Sequence, residues 1–128
     1  MRSADRAGAA LDHVQVAAPP DCEPAARRFY GELLGLQEID KPGALRARGG
    51  VWFGLDGAQL HVGVADAFTP ATKAHPALRV PERRLSELAA RLDRAGAPVA
   101  WDDDLPGYAR FYTSDPWGNR IEMLARRG

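Results

Sequence analysis

The residues best suited to chemistry in this 128-residue chain are its three histidines and a glutamate near the carboxyl end. They are His13, His61, His75 and Glu122. Imidazole nitrogens and a carboxylate oxygen suit a borderline divalent ion such as Zn, Ni, Co, Fe(II) or Mn, and their spacing does not choose among these metals. A metal centre requires that the fold bring the four side chains to one face.

The elements that could position these residues occur in one order, and then occur again. The first set is a strand at 11–17, a helix at 21–34 and strands at 36–41, 50–55 and 58–64. The helix has apolar residues three and four apart and ends before Gly35, as a helix C-terminus favours. Asp56-Gly57 is typical of a tight hairpin between the last two strands.

The second set repeats the first after a linker. It is a strand at 75–80, a helix at 85–95 and strands at 99–102, 108–114 and 120–125, with a turn at 115–119. The sequence therefore predicts an α+β fold of two tandem βαβββ modules that form half-open barrels within one domain. We predict a flexible tail at 1–10, a first module at 11–66, a linker at 67–74 and a second module at 75–128.

Strand alternation predicts that the four candidate ligands share one side of the sheets. Successive side chains of a strand point to opposite faces, and the apolar face is the one that helices cover. Val14 and Val16 thus leave His13 on the other face, and the same argument applies to His61, His75 and Glu122. All four fall on the first or last strand of a module. This pattern predicts a metal site, and the alternative is a polar sheet face in contact with water.

Other side chains on or near this face could contact a substrate. Gln15, Arg79 and Arg120 share the ligand side, and Arg79 is the arginine that we expect to hold an anionic group. The alternative for Arg79 is a solvated side chain at a barrel rim. Trp52, Trp101 and Tyr112 could form an aromatic wall, although aromatic residues in short strands often belong to the core.

Composition excludes several other classes of function. Seventeen lysines and arginines balance seventeen aspartates and glutamates, so no net charge favours nucleic acid or an anionic membrane. The first ten residues contain no apolar run, and we expect neither a signal peptide nor a membrane anchor, which predicts a cytoplasmic location. The single cysteine, Cys22, has no nearby histidine and does not indicate a thiol enzyme.

Four segments make the chain similar to the vicinal oxygen chelate superfamily from residue 11 to residue 124. These segments are LDHV at 11–14, FYGELLGL at 29–36, the strand that begins at His75, and DPWGNRIE at 115–122. The resemblance implies paired βαβββ modules around a divalent metal held by His13, His61, His75 and Glu122. It also implies a homodimer, in which modules pair either within one chain or across the subunit interface.

One position departs from the family pattern. His61 stands where glyoxalase-like members usually have glutamate and epimerase-like members have glutamine. Members similar to extradiol dioxygenases or fosfomycin-modifying transferases use two histidines and one glutamate, which here would be His13, His75 and Glu122. His61 is then either a fourth ligand or a base beside the metal.

The resemblance implies an enzyme that acts on a small substrate with neighbouring oxygens. The expected chemistry is that of a glyoxalase-like or epimerase-like lyase or isomerase, in which Glu122 or His61 moves a proton through a metal-stabilised enediolate. Thiol transfer and ring-cleaving dioxygenation are related options. The alternative from another class is a bleomycin-resistance-like protein that binds a drug or natural product without catalysis.

Overall fold

The computed structural model describes residues 6–128, which form two four-stranded sheets. The first sheet contains β1 (His13–Ala18), β2 (Gln37–Ile39), β3 (Val51–Leu55) and β4 (Ala58–Val64). The second contains β5 (Ala77–Arg79), β6 (Ala100–Asp102), β7 (Tyr108–Ser114) and β8 (Arg120–Arg126). The predicted α+β class with two βαβββ modules is confirmed. Residues 1–5 of the predicted tail lie outside the described range, and residues 6–12 form no helix or strand.

The two sheets have the same topology. Their strand orders are β1-β4-β3-β2 and β5-β8-β7-β6, so the first and last strands of each module are neighbours and run in parallel. His13 pairs with Gln59 in the first sheet, and Ala77 pairs with Glu122 in the second. This topology places the candidate ligands of each module on adjacent strands.

The first helix is shorter and wider than predicted. It begins as α1 (Glu23–Ala26) and continues as a π-helical segment over Arg27–Leu33, whereas the sequence predicts an α-helix from residue 21. Asp21 has a φ of 63°, which breaks the helix before Glu23. The wider turn buries two adjacent pairs, Phe29 with Tyr30 and Leu33 with Leu34. Periodicity of 3.6 residues cannot reveal a π-helical turn, because both helix types bury nearly the same residues.

The helix of the second module, α3, extends over Glu82–Arg94 and begins three residues earlier than predicted. Pro81 precedes it with extended backbone angles, and Glu82 lies in the first turn, where the helix dipole favours a carboxylate. Its buried residues are those of the predicted stripe: Leu85, Leu88, Ala89 and Leu92. Gly96 follows with a φ of 84°, as the predicted C-terminus requires.

The strands predicted at 36–41 and 75–80 are each shorter than expected, and β2 is only Gln37–Ile39. The strand expected at 75–80 is only Ala77–Arg79, so His75 lies just before β5 and not within it. Pro76 cannot donate a backbone hydrogen bond, although its carbonyl oxygen accepts one from Glu122 at 3.0 Å. Between β2 and β3, a single turn of helix, α2 (Gly43–Arg46), occupies a stretch for which no element was predicted.

A buried polar network joins the two modules. The Tyr30 hydroxyl donates to Asp115 at 2.7 Å across the module boundary, and Asn119 donates to the Ala17 carbonyl at 2.8 Å. Asp115 and Asn119 belong to the predicted turn at 115–119 and are 5% and 2% exposed. The turn therefore holds the modules together as well as reversing the chain. In the described part of the chain, no helix is both long and apolar enough to cross a membrane.

Candidate functional site

His75 and Glu122 form a close pair on the second sheet. The Nε2 atom of His75 lies 3.0 Å from Oε1 of Glu122, and the glutamate is only 5% exposed. Tyr112 is the register partner of Glu122 on β7, and its ring centroid is 5.6 Å from that of His75. The pair thus sits on one sheet face with an aromatic ring against it.

The hydrogen bonds of His75 determine which of its nitrogens can bind a cation. Nδ1 lies 2.8 Å from the carbonyl oxygen of Lys73, which can only accept, so Nδ1 carries a hydrogen. Nε2 then faces the Glu122 carboxylate, which also only accepts when it is ionised. Nε2 of His75 and the carboxylate of Glu122 are therefore the groups of this pair that could hold a divalent ion.

The other oxygen of Glu122 faces Arg110. Oε2 lies 3.4 Å from Nη1 of Arg110, and the Nε of this arginine donates to Asp102 at 3.0 Å. The pKa of Asp102 is lowered by the backbone N–H of Asp104 and, to a smaller extent, by Arg110. Arg110 therefore bridges two carboxylates and holds Glu122 with one oxygen towards His75.

The first sheet carries a stack of three rings. The Trp52 and His61 rings are parallel, with centroids 3.8 Å apart, and the His13 ring lies on the same imidazole at 4.3 Å. Nε2 of His61 is 2.8 Å from Oε1 of Gln59, so that Nε2–H donates and Nδ1 keeps its lone pair. Nδ1 of His13 donates to Asp12 at 2.8 Å, which leaves Nε2 of His13 free to bind a cation.

The stack favours neutral imidazole at His61. The pKa of His61 is lowered, first by burial and then by the neighbouring His13. The residue is 4% exposed, because Trp52 and His13 cover its two ring faces. A neutral imidazole is the form that binds metals and accepts protons.

The two pairs do not combine into one cluster. Among residues 6–128, no three side chains of the types His, Cys, Asp and Glu lie close enough together to hold a metal ion. Each sheet therefore presents half of the predicted ligand set: His13 with His61 on one, and His75 with Glu122 on the other.

The predicted substrate-contact residues fall into separate places. Gln15 is the register partner of His61 and lines a cavity with Trp52, so both lie beside the first pair. Tyr112 and Arg120 lie beside the second pair, and the guanidinium of Arg120 is 3.8 Å from the centre of the Tyr112 ring. Alternation along the strands places these four side chains on the face that carries the histidines and Glu122.

Two residues need correction. Trp101 pairs with Phe111 and contacts its ring at 5.2 Å, so it lies on the opposite sheet face from Tyr112, 54% exposed, and cannot form a wall of the site. Arg79 shares the face of Glu122 by strand register, as predicted, but its side chain is exposed and lines a separate cleft of about 1000 Å³ between the modules, with Leu36 and Leu55. That cleft contains none of the four candidate ligands, because β5 carries Arg79 away from His75.

Sequence reasoning missed three residues of these pairs. Arg110 and Asp102 hold Glu122, and Gln59 holds His61. Arg110 could have been found from its strand, since it alternates with Tyr112 and so shares the ligand face. Gln59 could have been found in the same way, since it alternates with His61 along β4. Asp102 gave no such indication, because only the register between β6 and β7 brings it to Arg110.

Cys22 is buried at the start of α1, and the pKa of its thiol is raised by burial and then by the charge of Glu23. The thiol therefore stays protonated at neutral pH and is a poor nucleophile.

Comparison with known proteins relates this geometry to a family. Residues 14–124 match a family model described as a glyoxalase-like domain. A crystal structure of a glyoxalase family protein from Bacillus anthracis is 46% identical, with 93% of this chain and 96% of that chain covered and a TM-score of 0.87. A search of curated proteins finds no match.

More distant structures share the fold but are named for different activities. The oxidase ChaP-H2 is 26% identical, with 94% of this chain and 95% of its own covered and a TM-score of 0.71. Lactoylglutathione lyase from Agrobacterium tumefaciens is 20% identical, with 94% and 96% covered and a TM-score of 0.69, which shows a common fold alone.

Proposed function

This chain belongs to the glyoxalase-like domain family of the vicinal oxygen chelate superfamily, and from that premise we propose a divalent-metal-dependent enzyme acting on a small substrate with two neighbouring oxygens. The proposed reaction is a proton transfer of the glyoxalase or epimerase type, by a lyase or an isomerase. A cytoplasmic location stays a prediction.

The observation that carries the proposal is the pair formed by His75 and Glu122. Nδ1 of His75 donates a hydrogen bond to the Lys73 carbonyl oxygen, and Nε2 lies 3.0 Å from Oε1 of Glu122. A polar sheet face in contact with water would not require that the Glu122 carboxylate be buried opposite Nε2 of His75, the nitrogen that the Lys73 contact leaves without a hydrogen. Neutral imidazole and carboxylate are ligands that divalent ions take in proteins, so His75 and Glu122 would hold such an ion through Nε2 and a carboxylate oxygen.

We propose that His13 and His61 supply the rest of the ligand set from a second copy of the chain. Each sheet carries one pair, and the pairs do not meet within the described residues of one chain. In a twofold dimer, two complete sites would form where the first sheet of one copy faces the second sheet of the other. The metal, when bound, supplies Lewis acid stabilisation of negative charge on the substrate oxygens.

His61 and Glu122 are the residues that we propose to move the proton. Stacking between Trp52 and His13 shields the neutral His61 ring from water, and Gln59 holds its orientation. Glu122 is buried and held by Arg110 through one oxygen. Whether His61 binds the metal or acts only as a base decides which of the two accepts the proton.

Metal content tests the proposal directly. Wild-type protein purified without a metal-affinity tag is analysed for metals alongside the His75→Ala and Glu122→Ala variants. The control is Glu87→Ala, which changes an exposed residue of α3. We expect one divalent ion per chain in the wild type and in the control, and loss of this ion in both site variants with the fold retained. Protein that takes up no Ni, Zn, Fe(II) or Mn would overturn the proposal.

Mixing two inactive variants tests whether the site is shared. Unfolding and refolding a mixture of His13→Ala and Glu122→Ala would form heterodimers in which one of the two sites keeps all four ligands. Random pairing then restores about a quarter of the wild-type metal content. Restoration of none, with metal bound by the wild type, would place the complete site within one chain.

An oxygen-dependent reaction is the second candidate, and the similarity to the oxidase ChaP-H2 favours it. Two histidines and a carboxylate with open positions are also the ligands that suit non-haem Fe(II). Oxygen uptake by the Fe(II)-loaded protein, absent with Zn, would support this candidate over proton transfer.

A further inference from the structure

We propose that Arg120 and Tyr112 form a binding subsite for a small anion beside Glu122, which holds the charged group of an acidic substrate. This inference rests on the proposed function for its role, although anion binding itself does not need the metal. The substrate class is a small organic acid, a carboxylate or a phosphonate.

Charge differs sharply between the two ligand faces. On the second sheet, strand register places four arginines and two carboxylates on the face of Glu122: Arg79, Arg110, Arg120, Arg126, Asp102 and Glu122. The strands of the first sheet, all within the described residues, carry no Asp, Glu, Lys or Arg on the matching face. Among strand residues, the second face therefore carries two more positive than negative side chains.

Arg120 carries the part of this charge that lies next to the ligand pair. Arg110 already contacts both carboxylates, Asp102 and Glu122. In the described range of residues, Arg120 makes no ion pair, and its guanidinium lies 3.8 Å from the centre of the Tyr112 ring. Stacking on an aromatic ring holds the guanidinium while its N–H groups remain able to donate in the plane to an oxyanion.

A cavity of about 230 Å³ adjoins this arginine. Its lining includes Arg120 and Gly118 together with four residues that carry a hydroxyl group: Thr72, Tyr112, Thr113 and Ser114. The loop that contains Thr72 is held in place, because Arg120 N–H donates to the Ala71 carbonyl and Ala71 N–H donates to Asn119, both at 2.9 Å. The cavity suits a small anion and is too small for a peptide.

Position along β8 limits the length of the substrate. Arg120 and Glu122 lie two residues apart on the same face, so their Cα atoms are separated by about 7 Å. A substrate held by both must have its charged group close to its pair of neighbouring oxygens. This excludes substrates whose only anionic group lies at the end of a long chain.

Binding of simple anions to metal-free protein tests the proposal. Acetate and methylphosphonate are titrated at low salt into EDTA-treated protein, and amide shifts of Ser114, Gly118 and Arg120 are followed by NMR, with acetamide as the uncharged probe. We expect saturable shifts with at least one anion and none with acetamide. Arg120→Gln should weaken binding at least about tenfold, while Arg120→Lys should retain part of it.

The matched control is Arg126→Gln, which removes an arginine from the same face about 20 Å further along β8. We expect it to leave anion binding unchanged. Equal binding by wild type and Arg120→Gln, or no saturable shift with either anion, would overturn the subsite. Because metal is absent throughout, that result would leave the metal-content test unaffected, and a failure of the metal test would leave the anion result intact.

Discussion

The two modules have the same strand order and pairing, yet they present different chemistry at matching positions. The first sheet carries two imidazoles stacked on an indole, without a charged side chain on its face. The second carries an imidazole against a carboxylate, surrounded by arginines. A repeated backbone therefore provides matching positions, while the side chains divide neutral ligands and charge between the modules.

The same contrast appears in the glycines that precede the third strand of each module. Gly50 and Gly107 both have positive φ, at 88° and 82°. A Cβ on Gly50 would lie 2.2 Å from the Val62 carbonyl oxygen, whereas a Cβ on Gly107 would meet nothing within 4 Å. The first module is closely packed at this point and the second is open.

The largest expected effect comes from substituting these glycines. Gly50→Ala should lower the free energy of unfolding by about 4 kcal/mol, because strained backbone and a clash with backbone atoms act together. Gly107→Ala, the matched substitution, should cost about 1 kcal/mol from backbone strain alone. Chemical denaturation of both variants measures the difference. Equal losses would show that the modules are alike at this turn.

The next effect concerns the network that joins the modules. Asp115→Ala should cost about 3 kcal/mol, because the Tyr30 hydroxyl and the backbone N–H groups of Trp117 and Asn119 would lose their acceptor while buried. Tyr30→Phe, which removes only one hydrogen bond, should cost about 1 kcal/mol. Thermal unfolding followed by fluorescence and circular dichroism measures both losses. Unfolding of Asp115→Ala in two separate steps would show that the modules fold independently without this carboxylate.

The smallest effect depends on pH. The pKa of Glu23 is lowered, chiefly by the N–H of Gly50, which donates to its carboxylate at 2.6 Å. A lowered pKa in the folded state means that this stabilisation is complete above the unfolded pKa of about 4.3 and is lost as the pH falls through the folded value. Glu23→Gln should therefore be less stable than wild type by about 1 kcal/mol at pH 7, with a smaller difference below pH 4.

Glu82→Gln is the control for this comparison, since Glu82 is the first residue of α3 as Glu23 is the first residue of α1. Glu82 is exposed, and we expect Glu82→Gln to cost less at pH 7 than Glu23→Gln, because only the helix dipole favours this carboxylate. Denaturation curves of both variants between pH 3 and pH 8 provide the measurement. A difference for Glu23→Gln that does not vary with pH would contradict the assigned hydrogen bond.

Local patterns predicted most of the fold. Strands β4 and β7 have the predicted bounds, and the buried stripe of α3 is the predicted one. The π-helical segment, the short helix α2 and the late start of β5, which leaves His75 outside the strand, were not predicted. Apolar periodicity does not record the first two, because α2 buries no residue and the π-helical segment buries the stripe predicted for an α-helix.

By itself, the sequence determined the repeated order of elements and the faces of His61 and Glu122, because alternation along a strand is a property of the local backbone. Only the tertiary structure decided which side chains meet: His75 with Glu122, Arg110 with two carboxylates, and His61 between two rings. It also placed Trp101 on the other face and Arg79 in a separate cleft. These contacts join residues far apart in sequence, and strand register and packing between elements determine their distances.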